Sequence, residues 1–114
     1  MSIAPTNVKF IVNPNEPESL LYRFQEMIHG IPNFHFKQMD VRQSPDESSR
    51  FPITLYATNG FNFKVSGVRC GEGKRSQPLI DLLKFCEFDL NEETIYTILN
   101  CSTLCLTLYN EKYF

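Results

Sequence analysis

The sequence predicts a single small α+β domain whose antiparallel-rich sheet packs one face against helices. Three observations carry that expectation. Apolar residues alternate with a period of two over residues 34–41, 51–65 and 104–109; two apolar stripes recur at helical spacing over residues 20–28 and 79–86; and turn residues separate the runs into the order βαβββααβ. A chain of 114 residues suffices for one core and is too short for two. Apolar residues make up 42 % of it and charged residues 21 %, which excludes disordered, collagen-like and low-complexity classes. Ten Phe and five Tyr supply aromatic volume for a core that needs no cofactor or cross-link.

Taken in order, residues 1–7 read as a short loose arm and residues 8–114 as the domain. The run VKFIVN, residues 8–13, is short, β-branched and aromatic, and Pro14 ends it, so it reads as a buried first strand. In NEPE, Asn15 offers a helix cap, Pro17 suits the first turn, and Glu18 stands three positions after the cap, which approximates a capping box. Leu20, Leu21, Phe24, Met27 and Ile28 then fall on one helical face, and Gly30 with Pro32 supplies the stop. The run NFHFKQMDVR changes phase between Phe36 and Met39, as a strand with a bulge near Lys37 and Gln38 would. RQSPDESSR, residues 42–50, reads as polar loop, with Ser44, Pro45, Asp46, Glu47 and Ser48 as plain surface and a phosphosite as the functional alternative. Two alternating runs flank Asn59-Gly60, a pair that favours the left-handed backbone of a tight hairpin, and Pro52 belongs at the start of its strand or on an edge. Ser76 caps a second helix with Pro78 in its first turn and Leu79, Leu82, Leu83 and Cys86 as its stripe; Asn91 caps a third, EETIYTIL; and STLCLTLYN, residues 102–110, reads as a final strand.

Eleven basic against thirteen acidic residues leave a net charge of −2, which argues against bulk electrostatic capture of nucleic acid. No apolar run approaches the roughly 20 residues of a membrane span, and the first residues lack the pattern of a signal peptide, so an intracellular protein, cytoplasmic or nuclear, is expected. Cys70, Cys86, Cys101 and Cys105 are few and unevenly placed, which fits free thiols in a reducing compartment. If Cys101 and Cys105 both lie within the last strand they stand about 13 Å apart, too far for a disulfide or a shared metal. With only His29 and His35 available and neither at finger spacing, no metal and no cofactor is expected. His29 suits the negative end of the first helix.

The stretch SGVRCGEGKRSQPL, residues 66–79, tests whether the chain cradles a phosphate. A phosphate-binding P-loop needs Gly, four residues, then Gly-Lys and a hydroxyl residue; here Gly67 to Gly73 encloses five residues and Lys74 is followed by Arg75. The glycines therefore read as a turn from strand into helix. An intermediate reading keeps Arg69, Lys74, Arg75 and the amides behind Ser76 as an anion or partner site. A second candidate surface comes from the outward strand positions: His35, Lys37, Arg42, Thr54, Tyr56, Asn62 and Lys64 would share one sheet face that the helices leave uncovered.

Two resemblances follow from these residues. The segment from residue 8 to 88 resembles the kinase-associated C-terminal domain, a regulatory module that binds anionic lipids, and FNFKVSGVRCGEGKRSQPLIDLL is similar to its last strand, basic glycine turn and closing helix. That resemblance implies anion contact by Arg69, Lys74 and Arg75, while the segment from Asn91 onward has no counterpart in it. The same stretch also resembles a thioredoxin-like domain, with FKQMDV as its second strand and Phe51-Pro52 leading its hairpin. Where that family carries Cys-x-x-Cys this chain reads NPNEP, so the resemblance implies a redox-inactive domain, and only nine residues separate Val41 from Phe51.

The sequence thus predicts no enzyme. It predicts a non-enzymatic protein interaction or regulatory module acting through the exposed sheet face, a sheet edge or the basic turn. The alternatives are an anionic-ligand or phospholipid-binding regulatory domain, which would meet a membrane surface through that turn, and a redox-inactive thioredoxin-like domain. The expected partner is another protein, or a second copy paired along the final strand, residues 102–109.

Overall fold

The computed structural model describes residues 6–31, 34–44 and 51–113. Its elements are β1 (Thr6–Ile11), α1 (Leu20–Ile28), β2 (Phe36–Gln43), β3 (Ile53–Ala57), β4 (Phe61–Ser66), α2 (Gln77–Phe85), α3 (Glu92–Asn100) and β5 (Leu104–Tyr109), the order the sequence predicts. Tight 3-10 turns lie at Pro17–Ser19, Gly73–Ser76 and Glu111–Tyr113. The strands form one mixed sheet of five in the order β1-β4-β3-β2-β5. Only β1 runs parallel to its neighbour, β4, and the other pairs are antiparallel.

Period-two burial builds the inner face. Phe10, Met39, Val41, Ile53, Leu55, Ala57, Phe63 and Val65 are buried, and their alternates are not. α1 covers that face through Leu20 and Phe24. The Phe24 ring lies 5.6 Å from Phe10, 5.7 Å from Phe36 and 5.6 Å from Phe63 between centroids. α2 adds Leu79, Ile80, Leu82 and Leu83, with Cys86 buried just beyond its end. Leu104, Leu106 and Leu108 of β5 also turn toward the core but stay half-buried at the sheet's edge.

Several local expectations are corrected. Thr6 and Asn7, expected in a loose arm, are paired with Phe61 and Asn62, because the Thr6 amide finds the Gly60 carbonyl at 3.0 Å and extends the parallel ladder. The rest of the expected arm lies outside the described residues, as do residues 45–50 of the polar loop and its phosphosite candidates. Asn15 does not cap α1. Instead the Asn13 side chain accepts the Asn15 amide at 3.0 Å, a local turn that competes with a cap, and α1 starts only after the 3-10 turn. In the hairpin Gly60 alone is left-handed, at φ 90, while Asn59 uses its side chain to accept the Phe61 amide at 3.0 Å. The loop of Thr58, Asn59 and Gly60 is therefore the three-residue kind that ends in one left-handed residue. The bulge in β2 is present, with the register shifting between Phe36 and Gln38.

Gln43 was expected in the polar loop but ends β2, 5 % exposed. Its amide nitrogen donates to the carbonyls of Cys70 and Ser102, both at 2.9 Å, and its oxygen accepts the Cys70 amide at 3.0 Å. One side chain thus ties β2 to the turn before α2 and to the entry of β5. Gln43→Met keeps the volume and strands the Cys70 amide, so it is expected to lose about 2–4 kcal/mol in a urea unfolding measurement.

The helix ends differ in kind. Asn91 caps α3 as predicted, accepting the Thr94 amide at 2.7 Å. α2 ends in a Schellman turn, in which the Phe88 amide reaches the Leu83 carbonyl and the Glu87 amide reaches the Lys84 carbonyl, both at 3.0 Å. Glu87 holds the left-handed position, φ 69, where such turns favour glycine.

Candidate functional site

The helices take one side of the sheet, and no described helix covers the other, whose central residues are partly exposed. Register fixes its residues in rows. One row runs Lys9, Lys64, Thr54, Asp40, Thr107, and the next runs Asn7, Asn62, Tyr56, Gln38, Tyr109. Arg42 stands beside Cys105 beyond the first row. Ile11 and Tyr109, on the two edge strands, are 61 % and 58 % exposed.

Asp40 organises the centre of this face. Its carboxylate accepts the Tyr56 hydroxyl at 3.2 Å and the Gln38 amide at 3.0 Å. Partial burial, then the Asp40 charge and this hydrogen bond, push the Tyr56 hydroxyl above the usual phenol range. Among the described strand residues Lys9, Lys64 and Arg42 are the cations of the face against that one carboxylate, so these residues are net positive on a chain whose net charge is −2. Lys9 and Lys64 stand directly opposite each other, an unfavourable pairing of like charges. The Lys9 ammonium lies 5.6 Å from the Phe51 ring centre, and Arg42 donates to the Val41 carbonyl at 3.1 Å.

Arg42, Thr54, Tyr56, Asn62 and Lys64 therefore share the face that the alternation predicts, His35 is engaged elsewhere, and Lys37 sits in the bulge beside that face. His35 precedes β2; its ring stacks on Tyr113 at 4.4 Å and 11°, and its Nδ1 lies 3.9 Å from the Glu87 carboxylate. Lys37 is the extra residue of the bulge and has no register partner on β3; its carbonyl accepts the Asn110 amide at 2.9 Å. His35 lies ahead of β2 and Lys37 within its bulge, where strand alternation does not fix the side of a residue. The sequence reading missed Lys9, Ile11 and Tyr109, whose place on the face depends on which strands flank the hairpin.

The basic turn is built differently from the expected anion cradle. Ser76 precedes α2, but its buried hydroxyl turns backward, donating to the Arg69 carbonyl and accepting the Glu72 amide at 2.9 Å, so it caps no α2 amide. The 3-10 turn runs straight into α2, and the Gln77 amide is already bonded to the Lys74 carbonyl. Arg69 donates to the Ser44 carbonyl at 3.3 Å, and Arg75 donates to the Pro14 carbonyl. These arginines brace loops. Lys74 is exposed.

The cysteines are all free. Cys70 and Cys86 are buried, and burial pushes the Cys70 thiol up to about 12 and the Cys86 thiol up as well, which suppresses the reactive thiolate. Cys105 is exposed on β5, and Cys101 lies ahead of that strand. Among the described residues no group of three metal-ligating side chains comes together, and no helix is long and apolar enough to cross a membrane.

Fold and surface together define a two-layer α+β domain with an uncovered, basic and aromatic sheet face. Comparison with protein-family models, curated proteins and solved structures finds no match for this chain.

Proposed function

We propose that the domain is a non-enzymatic interaction module that docks a partner protein on the uncovered sheet face. The observation that carries this reading is the row of Lys9, Lys64, Thr54 and Asp40 beside Tyr56, a polar and aromatic surface set in line by strand register and left bare by the helices. Protein interfaces favour tyrosine and arginine anchors of this type. Free thiols fit a reducing compartment, so the reading places the module inside the cell. β5 pairs with β2 on one side and stands at one of the two edges of the sheet, so in this reading its outer side serves pairing with a second copy.

The full chain, immobilised, is the test. Proteins captured by it from cells of the source organism are expected to fall by about tenfold or more with Arg42→Glu plus Lys64→Glu and to persist with Lys74→Glu. Loss with the turn variant and retention with the face variant would assign binding to the basic turn, as the anionic-ligand alternative requires. Dimers in sedimentation that survive both variants would point to the β5 edge.

A further inference from the structure

A second concave surface lies where the C-terminal ends of α1 and α2 meet beside the start of β2. Ile28, Ile31, Phe34 and Phe85 line a groove of about 410 Å³ there, and His35 and Glu87 supply its polar side chains. Phe85 is 41 % exposed, and the side chains of His35 and Glu87 are 56 % and 51 % exposed, so the groove opens to solvent.

Its fixed charges have one sign. α1 and α2 each present the negative end of a macrodipole, worth roughly half an elementary charge, Glu87 adds a carboxylate, and among the described residues no Lys or Arg lines the groove, Lys84 of α2's last turn lying outside its lining. The left-handed backbone at Glu87 costs about 1 kcal/mol relative to glycine, yet the position carries a carboxylate at the groove's rim. That carboxylate accepts the Tyr113 hydroxyl at 2.8 Å, and a carboxylate has about four acceptor sites. Tyr113 is itself held by the stacked His35 ring, which fixes the direction of the acceptor.

We propose that this groove docks a partner segment presenting an aromatic or aliphatic side chain beside a lysine or arginine. The apolar side chain covers Ile31, Phe34 and Phe85, and the cation meets Glu87 in the field of the two helix ends. Charge selects this occupant: an acidic segment is repelled by all three negative groups, and a neutral one leaves the carboxylate without a charged donor. The site shares no residue with the sheet face and does not rest on the reading of that face.

The experiment titrates the full, nitrogen-15-labelled chain with N-acetyl-Phe-Arg-amide and with N-acetyl-Phe-Glu-amide. The basic dipeptide is expected to shift the amide resonances of Phe34, His35, Phe85 and Glu87 saturably, with a Kd on the order of 1 mM, while the acidic one leaves them unmoved. Glu87→Gln is expected to weaken the basic dipeptide by about fivefold or more. Glu87→Gly, which relieves the backbone and so keeps the fold, is expected to weaken it equally. Equal responses to both dipeptides, undiminished binding to either variant, shifts confined to the sheet face, or no saturable shift by about 20 mM would overturn the proposal.

Discussion

Gly67→Ala is expected to prevent folding or to cost more than about 3 kcal/mol. A Cβ at Gly67 would fall 1.8 Å from the carbonyl oxygen of Val12 and 2.7 Å from its carbon, and the position's φ is 95. The exits of β1 and β4 touch here, with the Val12 amide bonded to the Ser66 carbonyl at 2.8 Å. No flexible side-chain tip can yield, because the obstacle is the main chain of a neighbouring strand. Gly60→Ala is the control: φ is 90, but nothing lies within 4 Å, so only the left-handed cost of about 1–2 kcal/mol remains. Thermal unfolding followed by circular dichroism separates the two. A Gly67→Ala variant that melts with the Gly60→Ala variant would remove the close approach from the fold.

Phe24→Ala is expected to lose about 3–5 kcal/mol, read as a fall in the urea midpoint at unchanged slope. The side chain is 0 % exposed and holds three other rings by their edges or at a tilt, so truncation removes both transfer energy and the contact that joins α1 to the sheet. Tyr22→Ala, on the same helix but 65 % exposed, is expected to change stability by about 0.5 kcal/mol or less. Equal losses at the two positions would contradict the inward face assigned to α1.

What the sequence conveyed was local. Period-two runs, the 3.6-residue stripes, the bulge near Lys37, the glycine turn at Gly60 and the Asn91 cap each depend on a few neighbouring residues, and each appears in the structure. Where two local solutions compete, the expectation fails: the Asn13 side chain accepts the backbone amide of Asn15, which caps no helix, and Ser76 faces back to Arg69 and Glu72 in preference to α2. Contacts between distant segments were silent. Gln43 looks like any loop residue until Cys70 and Ser102 are brought to it, and Glu87 gains meaning only beside His35 and Tyr113. The same holds for the sheet face: Arg42, Tyr56 and Lys64 were legible because β2, β3 and β4 are consecutive antiparallel neighbours, whereas Lys9 and Tyr109 sit on strands whose neighbours no periodicity specifies.

The parallel pairing of β1 with β4 has a consequence for assembly. A chain synthesised from its N-terminus makes β1 long before β4 exists, whereas β3 and β4 meet as soon as their short hairpin closes. β1 is therefore expected to seal its side of the sheet after the β3–β4 hairpin has formed. A segment that arrives late at a preformed slot can be exchanged for the identical segment of a neighbouring molecule, so concentrated refolding is expected to yield swapped dimers joined through β1, and dilution before refolding to suppress them, as size-exclusion chromatography would show.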